Sequence, residues 1–401
     1  MKYVILLGDG MADYPIKELD NKTPLQVAKT ESMDAVASRG KTGMVQTIPH
    51  GLPPGSDIAN LSILGYDPNR YLTGRAVYEA SSAGVRLDSH DVAFRCNLVT
   101  LTNSDGNTIM GDYSAGHITT GEARELIGEL DVKLGGDQIR FYPGVSYRHL
   151  MVWKKGSEKV KTTPPHDISG RDVSPYLPEG EGAAKILQLM GEARNILNDN
   201  QVNMKRIADS KLPANSIWLW GQGRPISLPS FSERYGLSGS VISAVDLIKG
   251  MGVTLGLSSI EVPGVTGYLD TNYLGKACYA LEVLKDKDFV FVHVEAPDEA
   301  SHNGDVHNKI KAIEDFDGMV VKTVLEGIHQ FKEYKIMVLP DHRTPIVRKT
   351  HTSEPVPFAI CSSASLLEDS QQHIKFSEES AEKSGLFVEN GFELMDFFIR
   401  S

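Results

Sequence analysis

Short apolar segments that end at a polar residue recur along the chain. The apolar segments are residues 3–7, 289–294 and 336–339, and the polar residues that follow them are Asp9, Glu295, Asp298, Asp341 and His342. Buried strands of α/β proteins often end this way, because open sheets bind their ligands at the carboxyl ends of the strands. The pattern therefore predicts a sheet whose carboxyl edge presents acidic and imidazole groups.

Helix-like stretches alternate with these strand-like segments. They are residues 23–38, 59–65, 241–249, 275–285 and 308–331. Such alternation is typical of an α/β fold with a central, mostly parallel sheet flanked by helices. We therefore predict this fold class for the larger part of the chain.

The pattern changes between residues 92 and 220. Strand-like segments there are interrupted by proline and glycine turns, which favour a separate α+β arrangement. We predict a smaller inserted domain at residues 86–235, between the two parts of the main domain at residues 1–85 and 236–401.

Charge and composition exclude several classes of protein. The formal net charge is −11, whereas an extended nucleic-acid or anionic-membrane surface would need a basic excess. The N-terminus carries no cleavage signal, and no apolar run approaches the ~18 residues of a membrane span. The three cysteines form no paired motif, which fits a reducing cytoplasm. We expect a cytoplasmic protein without nucleic-acid or membrane partners.

Six side chains form a candidate metal-binding set. They are Asp9, Asp298, His302, Asp341, His342 and His351. Asp298 and His302 are four residues apart, so on a helix they share one face; taken alone, such a pair is usually a solvated surface contact. Oxygen and imidazole ligands suit Mn²⁺, Zn²⁺ or Co²⁺, and six ligands are too many for one catalytic ion. The set therefore indicates two divalent ions, which would promote phosphoryl transfer.

Ser56 is the candidate nucleophile. It lies in the segment Pro-Pro-Gly-Ser-Asp-Ile-Ala-Asn at residues 53–60, where a helix is expected to begin. The amides of a helix N-terminus favour a phosphate, and a metal can activate the hydroxyl group. The alternative is that Ser56 is simply a helix N-cap.

These motifs together resemble a known family. Gly8-Asp9-Gly10, Pro54-Gly55-Ser56-Asp57 with the Ser-Ile-Leu-Gly-Tyr-Asp-Pro segment at 62–68, the Asp298/His302 pair, Asp341-His342 and Thr350-His351-Thr352 recur in this order in cofactor-independent phosphoglycerate mutases. The chain is most similar to the shorter, archaeal-type branch of this family, within the alkaline phosphatase superfamily. The resemblance implies a phosphatase-like domain with an insertion, and an active site in the cleft between them.

The resemblance also implies individual roles. One ion would be held by Asp298, His302 and His351, and the other by Asp9, Ser56, Asp341 and His342. Lys276 would be a catalytic lysine near the transferred phosphate, although a solvated helix lysine is an equal alternative.

The inserted domain is expected to bind the glycerate, and arginine suits its carboxylate. The candidates are Arg95, Arg148, Arg224 and His166, with His117 and Asp167 as further polar candidates. Arg343 departs from the family pattern, which often has a small residue or proline there. We expect Arg343 either to face solvent or to contact the substrate phosphate.

The implied reaction is the glycolytic interconversion of 3-phosphoglycerate and 2-phosphoglycerate through a phosphoserine. The same fold and metals could serve a homoserine kinase-like phosphotransferase, a phosphopentomutase-like mutase or a metal-dependent phosphatase, because fold does not fix the substrate. A metal-stabilised binding protein without activity is a further alternative. The expected partner is a small phosphorylated molecule, and the expected state a monomer or small homo-oligomer.

Overall fold

The computed structural model describes residues 1–104, 106–366 and 373–400. The chain forms two compact units. The first combines Met1–Leu72 with Leu228–Ser401, and the second, Thr73–Ser227, is inserted between these two segments. The domain boundaries predicted from the sequence, after residues 85 and 235, lie further along the chain than the boundaries of these units.

Fifteen strands lie in the described residues. They are β1 (Lys2–Gly8), β2 (Lys41–Val45), β3 (Val92–Ser104), β4 (Asn107–Asp112), β5 (Ile139–Val145), β6 (Arg148–Trp153), β7 (Val160–Lys161), β8 (Glu179–Gly180), β9 (Ser216–Gly223), β10 (Gly239–Ile242), β11 (Ser258–Ser259), β12 (Phe289–Val294), β13 (Tyr334–Leu339), β14 (Val356–Ser362) and β15 (Phe387–Val388).

Seventeen α-helices lie in the same residues. They are α1 (Pro24–Val27), α2 (Glu31–Ser38), α3 (Ser56–Ile63), α4 (Pro68–Tyr71), α5 (Arg75–Ser82), α6 (Thr120–Leu134), α7 (Ala183–Asn198), α8 (Gln201–Ala208), α9 (Phe231–Tyr235), α10 (Asp246–Thr254), α11 (Tyr273–Asp286), α12 (Ala296–Asn303), α13 (Val306–Asp315), α14 (Lys322–Gly327), α15 (Ser363–Leu366), α16 (Glu378–Lys383) and α17 (Leu394–Arg400). Short 3₁₀ turns occur at Lys17–Leu19, Pro165–Ile168, Ser174–Tyr176, Ile328–Gln330 and Gly391–Glu393, and a π-helical turn at Phe316–Val321.

The first unit is built on an eight-stranded sheet in the order β11-β10-β12-β1-β13-β14-β2-β15. Its first five strands run parallel, and β14 is antiparallel to both of its neighbours. The predicted α/β class with a mostly parallel central sheet is confirmed. Strands β12, β1 and β13 are buried along almost their whole length, because helices cover both faces of a parallel sheet.

The second unit has its own sheet and its own core. Strands β4, β3, β6 and β5 form an antiparallel sheet. Strand β9 also pairs with β3, on the edge opposite β6. Helices α6 and α7 bury their apolar faces in the core of this unit. This arrangement is α+β, as the proline- and glycine-interrupted pattern indicates.

Two predicted helices differ from the structure. Residues 241–249 contain the end of strand β10 before helix α10 begins, because the apolar run from Gly239 pairs with β12 in the interior of the sheet. Residues 23–38 form two helices, α1 and α2, because the chain leaves helical geometry at Ala28 and Thr30. No helix in the described parts of the chain is long and apolar enough to cross a membrane.

A buried carboxylate joins the π-helical turn to helix α2. Asp317 accepts the backbone N–H groups of Ser32 at 3.1 Å and Met33 at 2.7 Å, and so caps the start of the helix. Burial raises the pKa of Asp317 to about 6, with Asp34 adding to the rise, although the two backbone bonds lower it. The folded state therefore holds this proton up to a higher pH than the unfolded chain does.

The Asp317→Asn variant should change how stability depends on pH. Between about pH 4 and pH 6 the folded state binds more protons than the unfolded state, so Asp317 makes stability fall as pH rises, by up to about 1.4 kcal/mol per pH unit. Asparagine keeps an acceptor but does not titrate, so this contribution should vanish. Urea unfolding across pH 4.0–6.5 measures it, with Asp315→Asn as a nearby surface control. An unchanged slope in Asp317→Asn would contradict the assignment.

Candidate active site

Three adjacent strands deliver carboxylates to one edge of the large sheet. Strand β1 lies between β12 and β13, with Gly8 paired to Val294 and Leu7 paired to Leu339. Their carboxyl ends are therefore level, and Asp9, Asp298 and Asp341 follow them on short connections. Gly10 has a φ of +61°, which lets the chain turn sharply directly after Asp9.

Asp298, His302 and His351 form the first group of possible ligands. Helix α12 places Asp298 and His302 one turn apart, and Asp298 Oδ2 lies 3.1 Å from His302 Nε2 and 3.5 Å from His351 Nε2. The two imidazole Nε2 atoms are 2.9 Å apart. The predicted i,i+4 pair therefore exists on a helix, and His351 joins it from a loop distant in sequence.

Protonation in this group follows from burial and close partners. Burial raises the pKa of Asp298, but hydrogen bonds to His302 and His351 and nearby imidazoles outweigh this and hold it well below its usual range. The hydrogen bond to Asp298 raises the pKa of His302 to about 9, although burial lowers it. The Asp298 carboxylate is therefore ionised, which is the form that binds a cation.

Asp9, Asp341, His342 and Ser56 form the second group. His342 Nε2 lies 3.1 Å from Ser56 Oγ, 3.4 Å from Asp341 Oδ2 and 3.5 Å from Asp9 Oδ1. Asp341 and His342 are fully buried, and Asp9 is 2% exposed. Burial and the charges of Asp341 and Asp298 raise the pKa of Asp9 well above its usual range. Three carboxylates this close need a compensating positive charge.

The structure supports cation binding through one orphaned atom. Asp9 Oδ1 is buried and has no hydrogen-bond partner among the described residues. A buried carboxylate oxygen without a partner is costly unless a cation occupies its open side. By distance alone, two sets of ligand atoms lie close enough to share an ion, and they cut across the two groups above: Asp298 with His342 and His351, and Asp9 with Asp341 and His293. The oxygen and nitrogen donors fit divalent transition-metal ions.

Ser56 is not an N-cap. It is the first residue of helix α3, the preceding Gly55 is the cap residue, and no side chain caps the helix. The Ser56 hydroxyl instead contacts His342, while Asp57 accepts the N–H of Ile58. The hydroxyl therefore lies among ligand atoms at a helix N-terminus, where a phosphate is stabilised.

Sequence reasoning missed His293 as part of the site. Its Nε2 lies 2.9 Å from Asp9 Oδ2, and its Nδ1 lies 3.2 Å from Ser243 Oγ. Burial lowers the pKa of His293 to about 3, so the ring is neutral and donates one hydrogen bond to Asp9. The signal was an imidazole within the otherwise apolar strand β12, where a polar residue needs a buried partner.

Asn60 is a second missed residue. Its Nδ2 donates to Asp341 Oδ2 and to the Ser56 carbonyl oxygen, both at 2.8 Å. Asn60 is fully buried and lies one turn after Ser56 on helix α3. It joins the helix of the candidate nucleophile Ser56 directly to a predicted metal ligand.

Lys276 lies behind strand β12 rather than in solvent. It is fully buried on helix α11, and its Nζ donates to the His293 carbonyl oxygen at 2.8 Å. Burial, together with Lys249, lowers its pKa to about 8, while Glu295 raises it. The solvated-lysine alternative is therefore wrong, and the catalytic role stays a prediction.

Three of the four predicted substrate residues lie together in the inserted unit. Arg95 stacks over Trp220 at 4.1 Å, and the His166 ring meets the same tryptophan edge-on. Arg148 opens strand β6 opposite Asn97, which puts it on the same sheet face as Arg95. Burial lowers the pKa of both Arg95 and His166, and nearby arginines, including Arg75, lower them further. The cluster thus contains two arginines, of which the buried Arg95 is paired with Glu79 at 3.0 Å.

Arg224 and Arg343 are held by the protein itself. Arg224 Nη2 donates to the Gly156 carbonyl oxygen at 2.5 Å, so it lies in a loop contact outside this cluster. Arg343 donates to the Pro355 and Asp13 carbonyl oxygens, and only 12% of its side chain is exposed. The alternative in which Arg343 faces solvent is wrong, because its guanidinium satisfies backbone acceptors, and the phosphate contact stays a prediction.

Similar proteins are known for the full chain. The family model described as 2,3-bisphosphoglycerate-independent phosphoglycerate mutase matches residues 37–203. A Geobacter sulfurreducens protein named probable 2,3-bisphosphoglycerate-independent phosphoglycerate mutase is 52% identical over 399 residues, and the match covers 100% of both chains. The Methanosarcina acetivorans protein of that name is 51% identical over 403 residues, again covering 100% of both.

Solved structures agree with this likeness. A protein from Pyrococcus horikoshii has a TM-score of 0.82 at 29% identity, and the match covers 100% of this chain and 96% of that one. The cofactor-independent phosphoglycerate mutase from Thermoplasma acidophilum has a TM-score of 0.66 at 26% identity, with 100% and 99% covered.

Metal binding should depend on both groups of ligands. We expect the wild-type chain to bind two Mn²⁺ ions, and Asp9→Asn and Asp298→Asn each to bind at least one fewer, because each removes a buried charged ligand. Isothermal titration of metal-free protein measures the stoichiometry, with Asp270→Asn as a control outside both groups. Free Mn²⁺ at 100 times its Kd should also raise the free energy of unfolding of the wild type by about 2.7 kcal/mol per site. Two tightly bound ions in both variants would contradict the ligand assignment.

Proposed function

Because the chain belongs to the family of 2,3-bisphosphoglycerate-independent phosphoglycerate mutases, we propose that it interconverts 3-phosphoglycerate and 2-phosphoglycerate with Ser56 as the phosphate carrier. The protein is thus an isomerase that moves a phosphate within one substrate. The observation that carries the role of Ser56 is its hydroxyl oxygen, 3.1 Å from His342 Nε2 at the start of helix α3.

The first transfer forms a phosphoserine. Ser56 Oγ attacks the phosphorus, its proton leaves, and the bond between phosphorus and the glycerate oxygen breaks. The released glycerate oxygen takes up a proton and becomes a hydroxyl group. The free amides at the start of helix α3 stabilise the phosphate held on the serine.

The second transfer returns the phosphate to the other hydroxyl group of the same glycerate. That hydroxyl loses its proton and attacks the phosphoserine, and Ser56 Oγ leaves and regains a proton. The overall reaction consumes no water and no nucleotide. Isomerisation therefore requires the glycerate to stay bound between the two transfers, since its loss would turn the enzyme into a phosphatase.

The metal groups supply charge compensation. Two divalent ions, one held by Asp298, His302 and His351 and the other by Asp9, Ser56, Asp341 and His342, would neutralise phosphate oxygens and lower the pKa of the serine hydroxyl. We favour manganese, with zinc and cobalt as alternatives, because the ligands are oxygen and imidazole without thiolates. Buried Lys276 adds a further positive charge behind strand β12.

We assign glycerate binding to the cationic cluster of the inserted unit. Arg95 and Arg148 can form charge-assisted hydrogen bonds with the glycerate carboxylate, and His166 can contact a hydroxyl group. Glu79 orients Arg95 through a 3.0 Å ion pair, and the stacked Trp220 limits its rotation. A fixed guanidinium loses little entropy when it binds an anion.

We also propose that the reaction takes place in the cytoplasm. Cys96, Cys278 and Cys361 are all free thiols, which suits a reducing compartment.

The Ser56→Ala variant should abolish isomerisation, because it removes the hydroxyl group proposed to carry the phosphate. Conversion of 3-phosphoglycerate to 2-phosphoglycerate with Mn²⁺ measures it, and the rate should fall by about 10³-fold or more. Ser62→Ala is the matched control, since Ser62 lies on the same helix and its buried hydroxyl has no partner among the described residues.

The same samples separate the rival reactions. Phosphorylation of homoserine by ATP would favour the kinase-like alternative, and release of inorganic phosphate without 2-phosphoglycerate would favour a phosphatase. Mass spectrometry should find phosphate on Ser56 in the wild type after incubation with substrate. Full activity in Ser56→Ala would overturn the proposal.

The arginine variants should separate substrate binding from structural contacts. Arg148→Ala should raise KM for 3-phosphoglycerate by about 10- to 100-fold, because a hydrogen bond to a charged group contributes about 1.5–3 kcal/mol. Arg224→Ala should leave KM within about threefold, since Arg224 is bound to the Gly156 carbonyl oxygen. Steady-state kinetics at saturating Mn²⁺ measures both. A larger effect of Arg224→Ala would contradict the assigned cluster.

A further inference from the structure

Thr344 connects the two groups of metal ligands. It is fully buried, two residues after His342, and its side-chain oxygen contacts both groups at once. Thr344 Oγ1 donates to Asp298 Oδ1 and lies 3.1 Å from His342 Nδ1. Asp298 belongs to the first group and His342 to the second.

The direction of these hydrogen bonds follows from counting protons. An ionised carboxylate can only accept, so the single hydroxyl proton of Thr344 points to Asp298. The Thr344 oxygen can then only accept from His342, and therefore His342 Nδ1 must carry a proton. In the neutral ring this leaves the lone pair on Nε2, the atom that faces Ser56, Asp9 and Asp341.

We propose that Thr344 is a positioning residue that aligns the ligands of both metal groups through one directed chain, from His342 Nδ1–H to Thr344 O–H to Asp298 Oδ1. The hydrogen-bond chain turns His342 Nε2 and Asp298 Oδ2, one in each group, toward the other ligand atoms. Partners of this kind fix the tautomer and orientation of metal ligands. The inference deepens the proposed function, since it rests on the two-metal site described there.

The backbone at Gly10 leaves room for the hydrogen bond between Thr344 and Asp298. A Cβ atom on Gly10 would lie 2.6 Å from Asp298 Oδ1 and 2.6 Å from Thr344 Oγ1. Any side chain at position 10 would therefore displace the hydrogen bond between them. Together with the positive φ of Gly10, this close approach explains why glycine follows Asp9.

The backbone of Thr344 is held on both sides. Its N–H donates to the Ala12 carbonyl oxygen at 3.1 Å, and its carbonyl oxygen accepts from Lys309 Nζ at 3.0 Å. Lys309 is fully buried and forms a 2.7 Å ion pair with Asp13. The hydroxyl of Thr344 is thus placed by a rigid network, which is what a positioning role requires.

The test compares Thr344→Val with Thr344→Ser. Valine keeps the shape of threonine but leaves His342 Nδ1–H and Asp298 Oδ1 without a partner, whereas serine keeps the hydroxyl. Competition with a metal chelator measures Mn²⁺ affinity at both sites of the otherwise intact protein. We expect Thr344→Val to weaken both sites by about 10- to 100-fold, and Thr344→Ser to stay within about threefold.

Thr42→Val is the matched control. Thr42 lies on strand β2 and is also buried. Its hydroxyl donates to the carbonyl oxygen of Ala37 on helix α2, outside the ligand groups. We expect it to leave Mn²⁺ affinity unchanged. Wild-type affinity at either site in Thr344→Val, or equal weakening in Thr344→Ser, would overturn the proposal.

A second measurement does not use Thr344→Val, so it decides even if that variant does not fold. Nitrogen-15 NMR of histidine-labelled, metal-free protein should show His342 protonated at Nδ1, with the signal assigned by its loss in His342→Gln. A proton at Nε2 alone would exclude the proposed chain of hydrogen bonds through Thr344. Neither readout uses phosphoglycerate, so a protein that fails to form 2-phosphoglycerate could still support the role of Thr344, and an active mutase could still refute it.

Discussion

The convergence of three buried carboxylates is the constraint on which the structure depends. Asp9, Asp298 and Asp341 are brought together by the parallel pairing of β12, β1 and β13, and their mutual repulsion is the electrostatic cost of this arrangement. Imidazoles compensate part of it, as the depressed pKa of Asp298 indicates. The orphaned oxygen of Asp9 indicates that the rest is left for bound cations.

A second layer of residues fixes how these carboxylates can act. One oxygen of each carboxylate is hydrogen-bonded to a buried residue. The pairs are Asp9 with His293, Asp341 with Asn60, and Asp298 with Thr344. In Asp9 and Asp298 the other oxygen thereby faces the site. The same residues reach the proposed nucleophile, because Asn60 also donates to the backbone carbonyl oxygen of Ser56. The geometry of the candidate site is therefore set by buried neutral donors as much as by the charged groups.

Much of this could be predicted from the sequence, because strand ends and helix spacing are local signals. Asp9, Asp341 and the Asp298/His302 pair follow from such patterns, and the sheet they require is present. The imidazole of His293 in an apolar strand is a signal, but the partners of His293 and Thr344 could not be predicted, since Asp9 and Asp298 lie 284 and 46 residues away and only the folded chain brings them together. The solvent-facing alternative for Arg343 was wrong because a backbone carbonyl, which leaves no sequence signal, accepts a hydrogen bond from its guanidinium.

We propose that the carboxylate edge is a two-cation site that opens onto the Ser56 hydroxyl. Anomalous X-ray diffraction at the manganese edge, from crystals grown with Mn²⁺, measures this directly. We expect two anomalous peaks roughly 3.5–4 Å apart, one bounded by Asp298, His302 and His351 and the other touching Ser56 Oγ. A single peak, or peaks remote from Ser56, would contradict it.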